Sequence, residues 1–308
     1  KACYLAKLES RPIMLSAPMD VQQRAFDDDE PYKPSSTLLS SRAVQPDPAG
    51  LEQAADIIAG SRKPVIIVGR GAKWSGAGDA VLKLGNRIGA LIATTLMAKI
   101  WLSESEYHVG VSGTYGTRTA MQLFEEADCV IAVGASMNRY TTEHGYLFPN
   151  ARYVHLDSKP HLMMSGGRSA DCYIQADARA GVEALESLLA RRSVKLTGFR
   201  TPEVKERLTH NLEDRTEFLV EPGSVDPREA CLALDETVPT DFNLFTGSGS
   251  TAGFSNILFR RRRPVVLASH FFGCIGQMLP AAMGGVVATG NKPAILVDGD
   301  ASVMMHLA

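Results

Sequence analysis

Three short segments in the second half of the chain carry residue types suited to holding one ligand. Thr246-Gly247-Ser248-Gly249-Ser250, Phe272-Gly273-Cys274-Ile275-Gly276 and Asp298-Gly299-Asp300-Ala301-Ser302 each follow an apolar run that reads as a strand. In open parallel sheets ligands sit beyond the C-terminal strand ends, and glycine lets backbone N–H groups approach a phosphate closely. Three such loops in succession point to one anionic ligand spanning them. Asp300 adds a hard carboxylate oxygen of the kind Mg²⁺ takes, and a divalent cation bridging to a diphosphate neutralises it without several basic side chains. Alone, Asp298-Gly299 would be an ordinary turn sequence. His270, just ahead of the second loop, could exchange protons with a substrate near neutral pH or simply hold a loop carbonyl. Cys274 reads as a small residue in a crowded loop.

The first half repeats the pattern less sharply, with Gly69 and Gly71, Gly110 and Gly113, and Gly134 at expected strand ends. No Gly-x-Gly-x-x-Gly follows the first strand and no Gly-x-x-x-x-Gly-Lys-Ser/Thr occurs, which removes the dinucleotide fingerprint and the P-loop. Turn glycines and a nucleotide crevice remain as alternatives. Arg260-Arg261-Arg262-Arg263, ahead of Pro264 and without aromatic interleaving, reads as a solvated approach to a strand rather than a nucleic-acid patch; a subunit contact is a further reading. The acidic run Asp27-Asp28-Asp29-Glu30 reads as a solvated face rather than a cation site. The five cysteines, Cys3, Cys129, Cys172, Cys231 and Cys274, never form a Cys-x-x-Cys pair, so neither a disulfide scaffold nor a structural zinc is expected.

The elements that must position these residues alternate between two periodicities. Leu51, Ala55 and Ile58 recur at helical spacing after Pro48, Val81, Leu84 and Ile88 do so again, and Val182, Leu185, Leu188 and Leu189 form a third such stripe. Between them lie continuous apolar runs, at 64–69, 90–94, 129–134 and 153–157, of the kind buried on both faces of a parallel sheet. A second series begins at Asp226-Pro227-Arg228-Glu229, an N-cap with proline at the first helical position. It continues through strands near 243–246, 265–269 and 295–298, with a helix over 278–289. The expected fold class is α/β, with doubly wound, mostly parallel sheets. The expected division is a preceding domain's end at 1–22 with a strand over 11–16, a linker at 23–47, a central α/β domain at 48–190, a connector at 191–225, and the N-terminal part of a second α/β domain at 226–308.

A chain of 308 residues can bury two cores, and its formal charge of −2 gives no long-range preference for nucleic acid or an anionic membrane. No apolar run is long enough to span a bilayer and the first residues lack the form of a signal peptide, so a cytoplasmic protein is expected. The start without methionine and the apolar close at Met304-Met305-His306-Leu307-Ala308 lead to the expectation that both ends are cuts and that this chain alone is inactive.

Pro293-Ala294-Ile295-Leu296-Val297 followed by Gly299-Asp300-Ala301-Ser302 resembles the signature start of thiamine diphosphate-dependent enzymes of the acetolactate synthase, benzoylformate decarboxylase and pyruvate oxidase group. Phe272-Gly273-Cys274-Ile275-Gly276-Gln277-Met278-Leu279-Pro280-Ala281-Ala282 is similar to a second segment of that group, and Arg11-Pro12-Ile13-Met14-Leu15-Ser16-Ala17-Pro18-Met19-Asp20-Val21-Gln22 to the end of its pyrimidine-binding domain. The resemblance implies thiamine diphosphate and Mg²⁺ as cofactors, Asp300 as metal ligand, and Gly247, Ser248, Gly273, Cys274, Gly299, Ala301 and Ser302 along the cofactor, with Ile275 propping its bent shape. It further implies an FAD-type crevice lined by Gly69, Arg70, Gly71, Thr95, Leu96, Gly110, Gly113, Thr114, Gly134 and Arg139. Val111-Ser112-Gly113 and the single Arg139 depart from that group's flavin pattern and leave FAD open. The implied activity is that of a carboligase or lyase on 2-oxo acids or aldehydes, acetolactate synthase-like, with a benzoylformate-type decarboxylase and a non-catalytic binding or regulatory protein as alternatives. The implied assembly is a homo-oligomer, dimer or tetramer, with active sites between subunits and an activating glutamate outside this chain.

Overall fold

The computed structural model describes residues 1–9, 12–25, 33–34, 37, 43–159, 168–213, 216–217, 219–269 and 272–306. The chain divides into two units, Lys1–Ala43 and Val44–Ala308. In the first, helix α1 (Ala2–Glu9) and the short α2 (Met19–Gln22) are the regular elements among the described residues. The strand expected over 11–16 is not formed where it can be seen: residues 12–18 have no regular structure, and Met14 and Leu15 are 93% and 81% exposed. A strand needs a neighbour for its N–H and C=O groups, and the described part of this unit supplies none. The acidic run at 27–30 lies outside the described residues.

The second unit opens with α3 (Pro48–Ala59), which starts where Asp47 accepts a hydrogen bond from Gly50 N at 2.7 Å and proline fills the first turn; such a cap stabilises a helix by about 1 kcal/mol. β1 (Pro64–Val68), α4 (Arg70–Trp74), α5 (Gly78–Ile88), β2 (Leu91–Thr94), β3 (His108–Val111), α6 (Arg118–Glu125), β4 (Cys129–Val133), β5 (Arg152–Asp157), β6 (Cys172–Gln175), α7 (Ala178–Arg191) and α8 (Pro202–Thr209) follow. The six strands are parallel in the order β3-β2-β1-β4-β5-β6. Winding reverses between β1 and β4, so the crevice of this sheet opens at their C-terminal ends. The continuous apolar runs have the expected consequence. Ile66, Val68, Ile131 and Val133 enter one core layer, while Val65, Ile67, Val130 and Ala132 enter the other. Each fully buried aliphatic side chain contributes roughly 1.5–3 kcal/mol.

A second sheet is built from α9 (Pro227–Thr237), β7 (Asn243–Thr246), α10 (Ser250–Leu258), β8 (Val266–Ala268), α11 (Met278–Ala288), β9 (Ala294–Val297) and α12 (Asp300–Met304). Its strands are parallel in the order β8-β7-β9. Asp226 caps α9 as expected, accepting from Arg228 N at 2.8 Å. The arginine run is not uniformly solvated. Arg263 is buried against Asp235 of α9 at 3.1 Å, Arg260 is drawn inward, and Arg261 and Arg262 remain exposed. The cause is Asp235, whose carboxylate also accepts the backbone N–H groups of Arg260 and Arg261 at 2.8 and 3.1 Å. The two sheets meet where Lys99, beyond β2, donates to Ser255 O of α10 at 2.5 Å.

Candidate functional site

The loops after β7, β8 and β9 converge and are tied together by small polar side chains. Gln277 Nε2 donates to Ser269 Oγ at 2.9 Å, and Ser269 and Ser248 hydroxyls lie 3.0 Å apart. Ser248 Oγ in turn reaches the Gly273 and Cys274 carbonyls at 3.1 and 3.2 Å. With the Ser248 proton directed at a carbonyl, Ser269 is the donor between the two hydroxyls. On the other side Gly276 N donates to the buried Ser302 Oγ at 3.2 Å, and His306 Nε2 donates to Gly276 O at 2.6 Å. The first loop therefore grips the second, and α12 grips it again. Phe272 and Gly273, at φ 68° and 71°, turn through the left-handed region, which costs a non-glycine residue such as Phe272 on the order of 1 kcal/mol.

Asp298 and Asp300 divide the work at the end of β9. Asp298 Oδ1 accepts from Gly299 N at 2.9 Å, and a Cβ at residue 247 would fall 1.8 Å from that oxygen. Glycine at 247 is thus what leaves room for the Asp298 carboxylate. Asp298 Oδ2 is buried with no hydrogen-bond partner among the described residues. Asp300 is exposed, with Oδ1 on Ala301 N at 2.8 Å. Cys274, Ile275 and Ala301 are exposed as well, Ile275 at 55%. The structure therefore gathers Gly247, Ser248, Gly273, Cys274, Ile275, Gly299, Asp300, Ala301 and Ser302 at one sheet end. His270 lies outside the described residues. Among the described residues no group of three or more His, Cys, Asp or Glu side chains could hold a metal by itself.

The rim of the first sheet uses its glycines differently. Gly69 N and Gly71 N donate to Val133 O and Gly134 O at 2.9 and 3.0 Å, and a Cβ on Gly69 would meet Gly134 O at 2.1 Å. Gly113 closes on Tyr140 in the same way, and Thr114 N donates to Tyr140 O at 2.9 Å. Arg70 stacks on Trp74 and Arg139 on Tyr140. Thr95 and Leu96 follow β2, whereas Gly110 lies inside β3, where the space a Cβ would take is filled by the Arg260 guanidinium. At Gly69, Gly110, Gly113 and Gly134 the freedom of glycine serves close chain packing; a flavin is not required to explain it.

Comparison with known proteins places both sheets. The model of the thiamine pyrophosphate enzyme central domain matches residues 51–185, and that of the thiamine pyrophosphate enzyme C-terminal TPP binding domain matches residues 247–308. The chain belongs to the thiamine pyrophosphate enzyme family. The stretch matched by the TPP binding domain contains all three of the converging loops. Among curated relatives, the chain is 29% identical over 303 residues to the acetolactate synthase large subunit of Parasynechococcus marenigrum, covering 96% of this chain and 48% of that protein. It is 27% identical over 304 residues to the probable acetolactate synthase large subunit of Methanocaldococcus jannaschii, with 96% and 51% covered. It is 26% identical over 305 residues to acetolactate synthase 1, chloroplastic, of Nicotiana tabacum, with 96% and 44% covered. The chain spans about half the length of the curated relatives it matches. No helix among the described residues is long and apolar enough to cross a membrane.

Sequence reasoning missed a polar cluster between the sheets of this family member: the buried Lys99 and the buried pair Asp235–Arg263, with His108 and Arg260 half-buried beside them. Burial, and then Arg260, hold the Lys99 ammonium well below its usual range and push His108 down to about 3. Burial lowers Arg260 itself to about 10, against the opposing pull of Asp235. Lys99 and His108 each stand alone in their segments, and the arginine run read as solvated gives no sign which of its members turns inward.

Proposed function

We propose that the protein carrying this chain is a thiamine diphosphate- and Mg²⁺-dependent carboligase or lyase acting on 2-oxo acids, of the acetolactate synthase kind. The observation that carries the reading is the convergence of three small-residue loops on the end of β9, beside the exposed carboxylate of Asp300. The residues suit the cofactor. Asp300 would give Mg²⁺ one hard oxygen, the remaining ligands coming from a diphosphate, water and residues elsewhere, in keeping with the ion's six-oxygen shell. The orphaned, buried Asp298 Oδ2 marks a place where a polar group or ordered water is wanted. Gly273, Cys274, Gly299, Ala301 and Ser302 would lie along the cofactor, and Ile275 would support its bent shape. Once bound, thiamine diphosphate supplies an electron sink for the carbonyl carbon of the substrate. The chain's own share is to hold the loops in register through Ser248, Gln277 and Ser302 and to anchor the metal through Asp300.

The domain division at 1–22, 23–47, 48–190, 191–225 and 226–308, the homo-oligomer with active sites between subunits, and a flavin beside Arg70 and Arg139 belong to the same proposal. Flavin absorbance in the purified protein would support that part and its absence would remove it. The central test is calorimetric titration with thiamine diphosphate, with and without Mg²⁺, alongside CO₂ release from a short 2-oxo acid. Saturable, Mg²⁺-dependent binding is expected, weakened at least about tenfold, or 1.4 kcal/mol, in Asp300→Ala, whose exposed side chain leaves the fold intact. Absence of saturable binding overturns the enzyme reading and favours a non-catalytic family member.

A further inference from the structure

The seam between the two sheets encloses a cavity of about 10 Å³, enough for one water-sized sphere. Its polar lining consists of Thr94, Lys99, Ser103, His108, Asn256 and Arg260, with no carboxylate among the residues that form it. Lys99 is 4% exposed, and its ammonium spends one of three N–H donors on Ser255 O. Arg260 spends Nε on Ile257 O at 3.0 Å, leaving the end of its fork against Gly110. His108 Nε2 is shut away from solvent with no hydrogen-bond partner among the described residues.

The charges do not balance. Asp235 is the acid that bears on the cluster, and its oxygens are committed to Arg263 and to the backbone N–H groups of Arg260 and Arg261. Cys231, the other titratable neighbour of Lys99, has its thiol pushed up by burial and so stays neutral. Buried positive charge is costly unless it is paired. Either Lys99 gives up its proton or a negative charge enters the cavity.

We propose that this cavity is a site for one small monatomic anion of the halide class, held by Lys99 Nζ, the Arg260 guanidinium and His108 Nε2, which ties the two sheets together. The small volume favours a single monatomic ion over phosphate or a carboxylate, and the three nitrogen donors of Lys99, Arg260 and His108 converging on it favour an anion. A bound halide strengthens the hold of Lys99 and His108 on their protons, so it binds more tightly as the pH falls. The site is separate from the loops beyond β7, β8 and β9 and does not depend on the cofactor reading.

The test compares thermal unfolding of the chain in sodium bromide and in sodium gluconate at equal ionic strength, with bromide located by anomalous diffraction. The expected result is a higher Tm in bromide and an anomalous peak between Lys99 and Arg260. Bromide affinity should weaken at least about tenfold in Lys99→Met and in His108→Leu. Equal Tm values in the two salts with no peak in the cavity overturn the proposal and leave a water there. Should Lys99→Met fail to fold, His108→Leu and the wild-type diffraction experiment still decide.

Discussion

Removing the Asp235 charge should be among the most damaging single changes in the second half of the chain. The side chains of Asp235 and Arg263 are 8% and 0% exposed, and their nearest charged atoms are 3.1 Å apart. At an effective dielectric near 20 that separation corresponds to about 5 kcal/mol of attraction, much of it offset by taking both ions out of water. The net worth of the pair is therefore small, yet the cost of breaking it is not. Asp235→Asn keeps an acceptor for the Arg260 and Arg261 amides but leaves the Arg263 guanidinium charged and buried without a counter-ion, a loss of about 3–5 kcal/mol. Replacing both partners, as Asp235→Leu with Arg263→Met, removes the stranded charge and should cost clearly less than the sum of the single changes. Urea unfolding followed by circular dichroism reads these values, provided the slope with denaturant is unchanged. A loss below about 1 kcal/mol for Asp235→Asn, or strict additivity in the double variant, would refute the reasoning.

Gly69→Ala drives a Cβ to 2.1 Å from Gly134 O and 2.5 Å from the Ala135 Cα, both backbone atoms that cannot yield cheaply; a drop of several degrees in Tm is expected, and an unchanged Tm would mean the β1–β4 rim is looser than described. Ser248→Ala removes the hydroxyl that grips the Gly273 and Cys274 carbonyls. It should cost about 1 kcal/mol of stability while weakening thiamine diphosphate binding in calorimetry, and unaltered binding would show that the second loop holds itself. Burial, with Arg260 behind it, pushes His108 down to about 3, so the native state binds fewer protons than the unfolded chain between that value and about 6.5. In halide-free buffer, stability is whole above pH ~6.5 and falls on acidification by about 1.4 kcal/mol per pH unit. Subtracting the profile of His108→Leu isolates this slope, and parallel profiles would contradict it.

Much of the architecture was legible locally. The apolar runs at β1 and β4 could satisfy a sheet only if covered on both faces, and alternate residues indeed divide between two core layers. Pro48 and Asp226-Pro227 marked helix starts because capping is a contest among neighbouring residues. The Gly-rich segments stood out because few residues can make such turns. The strand expected over 11–16 did not form in its described part, 12–16, because an apolar stretch becomes one only if another strand accepts its hydrogen bonds.

Periodicity, caps and the Gly-Asp loops determined the α/β class, the strands β1, β2, β4 and β5 of the first sheet and the end of the second sheet where a ligand would sit, whereas the short strands β3 and β6 carried no such signal. Tertiary structure alone decided that Arg263 would be buried on Asp235, 28 residues away, and that Lys99 would reach across 156 residues to Ser255 O. It also decided that Gly110 would make room for a guanidinium. The physical reason is range: a cap or a turn is settled within a few residues, whereas the energy of a charge depends on which distant groups the fold packs around it.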